Sequence, residues 1–194
     1  MFFAHRPSSA EIDRFLRDSA SLPLSYSPIG IVDDASGRRL DTAIARVGRG
    51  PVDFDRARRA LLSWKQFDIG WVEAFPQNGS TAVGTDVAVL IRHLGFWSLN
   101  GCRVVYRVGD EDDDARFGYA YGTLPNHAEA GEEIFEVRRD PASEDVTYEI
   151  RAISWPRAWM AHVGQPIVRL LQARFRRDSV EAMKRAASGG ADRR

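Results

Sequence analysis

The chain has 194 residues, 44% of them hydrophobic and 28% charged, a balance that excludes a disordered chain and suits a domain with its own core. Its 27 Lys+Arg offset 27 Asp+Glu, so the formal net charge is zero and no whole-domain attraction to nucleic acid is expected. The single cysteine, Cys102, excludes an internal disulfide and a cysteine-based zinc site.

In chain order, Met1 to Pro7 lacks the apolar run of a signal peptide, and no stretch of about 18 apolar residues follows that could span a membrane. With one thiol, this points to a cytoplasmic protein. Ser8 and Glu11 have capping-box spacing, and Ile12, Phe15 and Leu16 share a helical face, so a short helix starts there. Residues 21–41, with Pro23, Pro28, Gly30 and Gly37, read as a long loop that packs on the surface or covers something. Residues 42–48 form a strand in which Ala43, Ala45 and Val47 alternate. After Gly48-Arg49-Gly50-Pro51 comes a helix with Asp53 as N-cap and an apolar stripe of Phe54, Ala57, Leu61 and Trp64.

From Gly70 to Ile153 the apolar period drops to two, which predicts strands at 70–75, 83–93, 102–108, 115–122, 132–139 and 145–153. Val87, Val89 and Ile91, then Val104, Tyr106 and Val108, then Phe117, Tyr119 and Tyr121, mark one face of successive strands. One apolar and one wetter face, with turn-rich connections at 77–80, 109–114 and 141–145, describe an antiparallel sheet of hairpins. A short helical lead-in at 156–163, a break at Gly164 and Pro166, and a long helix to Ala187 follow, with Ile167, Leu170, Leu171, Phe175 and Met183 on its apolar side. Residues 1–187 read as a single domain and 188–194 as a flexible tail.

The order of helix, strand, helix, six strands and long helix demands a cover for the sheet's apolar face, and the last helix can supply it. The arrangement resembles the helix-grip architecture of the START and birch-pollen-allergen superfamily. That resemblance implies an α+β fold: a curved seven-stranded antiparallel sheet wrapped around a long C-terminal helix, often around an apolar cavity, with additional short N-terminal helices. At family level, the segments Ser25-Tyr26-Ser27-Pro28-Ile29-Gly30, Val47-Gly48-Arg49-Gly50, Ala60-Leu61-Leu62-Ser63-Trp64 and Tyr121 to Glu133 resemble the family catalogued as domain of unknown function nineteen-ninety, from about Arg6 to about Met183. The resemblance implies fold and domain organisation; it carries no catalytic residue over.

Between two predicted strands, His127, Glu129, Glu132 and Glu133 place an imidazole beside carboxylates, a set able to do general acid/base work. Glu133 shares the parity of Phe135 and Val137, so it aims inward, where a carboxylate must find a partner or shift its pKa upward. The same segment also reads as a structured hairpin, with Pro125 and Asn126 in the turn and His127 tying down backbone. His127, Glu133 and Tyr121 are therefore the catalytic candidates, if catalysis occurs. Trp64, Trp71, Phe75, Tyr106, Tyr119, Tyr121 and Tyr148 are the ligand-binding candidates: they form either a cavity wall or plain core.

Other signals are weaker. Asp53 stands where a dinucleotide fingerprint needs its third glycine, so Gly48-Arg49-Gly50 is read as a tight turn. Asp110, Asp112 and Asp114 alternate, but Ala115 and Tyr121 stand where a calcium-binding loop needs glycine and glutamate. His93 shares the inward parity of Val87, while His5 and His162 have no evident partners, so no metal site and no cofactor are expected. Arg157, Arg169, Arg174, Arg176, Arg177, Lys184 and Arg185 make the C-terminal region basic beside Trp155 and Trp159; this is either the solvated back of a helix or a docking surface. The leading expectation is a binding protein for a small apolar or amphipathic ligand held between sheet and last helix. An enzyme acting on an apolar substrate in that cavity, such as a cyclase, isomerase or hydrolase, is the alternative, and an interaction module using the basic helix the second alternative.

Overall fold

A computed structural model describes residues 1–34, 37–77, 79–109, 113–156 and 165–188. The described elements are β1 (Phe2–Phe3), α1 (Ser9–Ser19), β2 (Asp41–Arg49), α2 (Gly50–Leu62), a 3-10 turn (Lys65–Phe67), β3 (Val72–Phe75), β4 (Asp86–His93), β5 (Phe96–Val108), β6 (Arg116–Thr123), β7 (Glu129–Arg139), β8 (Asp145–Pro156) and α3 (Gln165–Ala187). The expected lead-in at 156–163 and the tail from 189 onward fall largely or wholly outside the described residues, as do Asp110 and Asp112 of the acidic loop.

All strand pairings are antiparallel, and the sheet runs β2-β8-β7-β6-β5-β4-β3. The two-residue β1 pairs with Trp97 and Ser98 of β5, beyond the reach of β6. This is the seven-stranded α+β helix-grip arrangement, and α3 crosses its concave face against β2, β8, α2 and the 3-10 turn. The hairpins explain most of the order, because short turns bring consecutive strands together. The exception is β2, which pairs with β8 at the end of the strand series and so commits the sheet to curl.

Local chemistry sets the boundaries. The capping box of α1 forms as its spacing requires: Ser8 N donates to Glu11 Oε2 at 2.8 Å, and Glu11 N donates to Ser8 Oγ at 3.3 Å. Helix α2 starts earlier than expected. Its N-cap is Arg49, and Asp53 sits inside the first turn, accepting from Arg49 N at 2.9 Å. Proline at its N-terminal turn needs no intrahelical donor, which allows the earlier start. Strand β5 begins at Phe96 rather than near Cys102, because Leu94 and Gly95, both at positive φ, close a two-residue turn that pairs His93 with Phe96.

Both faces of the sheet are covered. On the concave face, α2, the 3-10 turn and the C-terminal half of α3 bury Leu61, Phe67, Tyr119, Phe135, Tyr148 and Met183. On the convex face, α1 packs Ile12 and Phe15 on Ala88, Leu90 and Leu99. The segment from Leu24 to Val32 covers the rest of that face with Tyr26, Ile31 and Val32 against Ala120, Ile134 and Ile153. A fully buried side chain of this size stabilises the fold by about 1.5–3 kcal/mol. The long loop read from the sequence is therefore a cover whose apolar residues find a sheet to pack on.

Candidate functional site

The N-terminal half of α3 does not close onto the sheet. It leaves a cavity of about 410 Å³ between α3 and the concave face. Strands β3 and β4 supply apolar wall through Val72, Val89 and Ile91, and α3 supplies Leu171 and Phe175. The other side is polar. On β2, β8 and β7, Asp41 and Glu133 both register with Ala152, so the two carboxylates flank it in one row. Glu129 and Ser154 continue this side, and Gln172 and Arg176, one helical turn apart on α3, face it.

The polar side is ordered by hydrogen bonds. Gln172 Nε2 donates to Glu129 Oε1 at 2.9 Å and Oε2 at 3.0 Å, and Ser154 Oγ donates to Glu129 Oε1 at 3.3 Å. Arg176 Nη1 lies 3.8 Å from Asp41 Oδ2, while Arg39 Nε takes Asp41 Oδ1 at 3.2 Å. Glu133 is served differently. Tyr121 donates its hydroxyl to Glu133 Oε2 at 2.6 Å, and Oε1 has no hydrogen-bond partner among the described residues.

Burial pushes the Glu133 carboxyl up to about 7, against the Tyr121 hydrogen bond and the Arg176 charge, with Glu129 and Asp41 adding to the rise. Burial also raises Glu129, although the Gln172 and Ser154 donors oppose it. Tyr121 is raised far above the ordinary tyrosine value by burial and by the neighbouring Glu133 charge, so it stays a donor. His127 is also on the cavity wall; its Nδ1 lies 2.9 Å from Glu129 N and 3.0 Å from Glu129 O, so the ring is tied to the backbone of β7. His93 lies on the wall at the β4–β5 end, edge-on to Phe2 with 6.1 Å between ring centroids, and burial lowers its pKa.

The three acid/base candidates, His127, Glu133 and Tyr121, thus share one cavity. The aromatic set divides. Trp71 and Tyr121 are on the wall. Trp64, Tyr119 and Tyr148 share the concave face but lie off the wall, in the core beneath α2 and the far half of α3. There the Trp64 indole donates to Gly79 O at 3.0 Å, Gln66 donates to the Tyr119 hydroxyl, and the Tyr148 hydroxyl meets Ser179 Oγ at 2.9 Å.

Phe75 and Tyr106 lie on the convex face, away from the cavity, and their placement there corrects the expected wall. Phe75 packs with the α1 cluster. Tyr106 is turned over by a bulge: Val104 pairs with Tyr121 but Tyr106 with Ala120, so one extra residue reverses the alternation. Asp41, Ser154, Gln172 and Arg176 were not expected on the wall from sequence, where Arg176 was read only as part of the basic C-terminal region. A signal was present for Asp41, which shares the parity of Ala43 and Ala45, and for Gln172 and Arg176, each next to an apolar residue of the α3 stripe.

Among the described residues, no group of three or more histidine, cysteine, aspartate or glutamate side chains is arranged to hold a metal ion. Nor is any described helix long and apolar enough to cross a membrane.

Residues 25–182 match the family described as Domain of unknown function (DUF1990). The chain belongs to that family. A DUF1990 chain with this cavity has close kin: the UPF0548 protein of Dictyostelium discoideum is 34% identical over 206 residues, covering 96% of this chain and 95% of its own length. Among solved structures, Ara h 8.0201 superposes with a TM-score of 0.51 at 11% identity, covering 79% of this chain and 99% of that one. Norcoclaurine synthase from Thalictrum flavum, in complex with dopamine and hydroxybenzaldehyde, gives 0.51 at 9% identity, covering 89% of this chain and 100% of that one. At such identities the likeness establishes the helix-grip fold of the DUF1990 chain alone.

Two of the segments that carried the resemblance, 25–30 and 121–133, meet on the convex face. Ser25 N donates to Thr123 O at 2.9 Å, and the Tyr26 hydroxyl donates to Glu132 Oε2 at 2.6 Å. A Cβ on Gly122 would collide with the Tyr26 ring and hydroxyl, so the close approach of the cover requires glycine there. Much of the family's most specific sequence therefore fastens the 24–32 cover to the sheet. The inner-facing residues Tyr121, His127, Glu129 and Glu133 of the same segment line the cavity.

Proposed function

We propose that this protein binds a small amphipathic molecule in the cavity between the sheet and the N-terminal half of α3. The observation that carries this reading is the cavity itself: about 410 Å³ of mostly apolar wall with polar groups gathered on one side, where a packed core would otherwise stand. A void of that size lined by side chains costs stability, so its retention in a fold with a well-packed second half favours a role for it.

Native mass spectrometry of freshly purified protein, with extraction of anything bound, tests the reading. A reproducible extra mass that is lost on denaturation is expected. Ile91→Trp, which places an indole in the apolar end, is expected to remove that mass and to abolish the fluorescence enhancement of phenylnaphthylamine. Enhancement that survives Ile91→Trp would overturn the reading.

A second reading has one observation of its own. Glu133, raised to about 7 and hydrogen-bonded to Tyr121, shares the cavity with His127, and a carboxyl poised near neutrality suits proton transfer. In an isomerase or hydrolase of an apolar substrate, Glu133 would move the proton and Tyr121 would donate to developing negative charge. Conversion of the extracted ligand by wild type but not by Glu133→Gln would select this reading over simple carriage.

A further inference from the structure

The polar side of the cavity is unevenly charged. Asp41, Glu129 and Glu133 line it, against Arg176. Arg176 faces Asp41 at 3.8 Å, and Arg39 holds the other Asp41 oxygen at 3.2 Å. Asp41 is therefore answered by guanidinium groups. Glu129 receives only neutral donors, Gln172 and Ser154. Glu133, half-buried on the cavity wall, receives only the Tyr121 hydroxyl, and its Oε1 has no donor among the described residues.

A half-buried carboxylate with no cation in ion-pair contact is costly, and an oxygen of it without a protein donor adds to the cost. Both costs are met by one kind of ligand. We infer that the cavity selects a hydrophobic amine, whose ammonium head sits at Glu133 Oε1 within reach of Glu129 while its alkyl or aryl body lies against Val89, Ile91, Leu171 and Phe175. The inference deepens the proposed function and rests on the cavity being a ligand site.

The same geometry rejects the opposite head group. A ligand carboxylate placed there would meet three protein carboxylates, and Arg176 is already directed at one of them. Like charges in a desolvated site discriminate strongly, so an amine and a fatty acid of equal chain length should separate. A neutral alcohol falls between, because it can donate one hydrogen bond to Glu133 but brings no charge.

The titratable and charged groups around Glu133 are Tyr121 and Tyr119 on β6, Glu129 on β7, Asp41 on β2, Tyr148 on β8 and Arg176 on α3, with Cys102 on β5 nearby. Of these carboxyls, Glu129 is raised with Glu133, so the test belongs near pH 8, where Glu133 is ionised.

The experiment is displacement of phenylnaphthylamine by decylamine, decanol and decanoate, which share one chain and differ in the head. Decylamine is expected to compete at least about tenfold more strongly than decanol, and decanoate less strongly than decanol. Glu133→Gln is expected to remove the head-group preference, bringing decylamine down to the level of decanol. Decanoate competing as well as decylamine would overturn the assignment, as would an amine preference that survives Glu133→Gln. Equal competition by all three would remove the amine and leave the cavity reading standing. Failure of every probe to bind would remove both. The wild-type comparison of head groups needs no variant, so poor folding of Glu133→Gln does not blunt the test.

Discussion

Glu132 and Glu133 are neighbours in the chain and opposites in the fold. Glu132 points to the convex face, where it is 2% exposed. Its two oxygens accept from the Tyr26 hydroxyl at 2.6 Å, the Tyr106 hydroxyl at 2.7 Å, Gly30 N at 2.9 Å and Val32 N at 3.5 Å. Another convex-face carboxylate, Glu136, is 1% exposed and is held by Arg116 and Arg138 at 2.7 Å and Arg151 at 3.3 Å. Glu133 points to the concave face and has one donor. Burial alone therefore does not mark a functional carboxylate. What separates the two faces is whether the protein itself supplies the partners.

The largest expected effect would break the convex member of the pair. Glu132→Gln replaces an acceptor oxygen by an amide donor facing hydroxyl and backbone donors. A loss of at least about 3 kcal/mol is expected from urea unfolding, because several buried donors lose a charged acceptor at once. A loss below about 1 kcal/mol would make Glu132 no anchor of the 24–32 cover.

Glu133→Gln sharpens the comparison through pH. The folded-state carboxyl is raised from 4.5 to about 7 by burial, so the folded protein binds the proton more tightly than the unfolded chain does. The stability this gives is fully present below pH 4.5 and is lost as pH rises through about 7. Wild type without ligand should therefore lose up to about 3 kcal/mol between those limits relative to Glu133→Gln, and less where water reaches the cavity. Urea unfolding of both proteins at pH 5 and pH 8 checks this. Parallel pH profiles would show that Glu133 is not raised.

The smallest effect separates the faces structurally. Gly122→Ala puts a methyl where the Tyr26 hydroxyl stands, so the cover must shift. About 1–3 kcal/mol of stability should be lost. Binding of phenylnaphthylamine to the concave face should stay within about twofold of wild type. A large loss of probe binding would mean that the two faces are coupled across the sheet.

Legibility in the sequence followed the range of the interactions. The α1 capping box was readable because its donor and acceptor lie three residues apart, at Ser8 and Glu11. Strand faces were readable from period two, and the inward aim of Glu133 came from its parity with Phe135 and Val137. The cavity wall was only partly readable. Tyr119 and Tyr148 face the same side of the sheet as Tyr121, and Trp64 at the end of α2 packs there too, yet α2 and the far half of α3 close over them. No local pattern says where a helix lifts from a sheet. Tyr106 shows a different limit, because one bulged residue on β5 reversed its side.

The sequence by itself determined the element order, the antiparallel hairpins, the amphipathic faces and the family, since all of these are written in spacings of a few residues. Only the tertiary structure decided that β2 closes onto β8, that the 24–32 segment roofs the convex face on Glu132, and that Asp41, Glu129, Glu133 and Arg176 meet at one side of a cavity. Those outcomes depend on which buried polar group finds a partner. That is settled by residues far apart in the chain, such as the Tyr26–Glu132 pair, 106 positions apart, and not by the local pattern around either member.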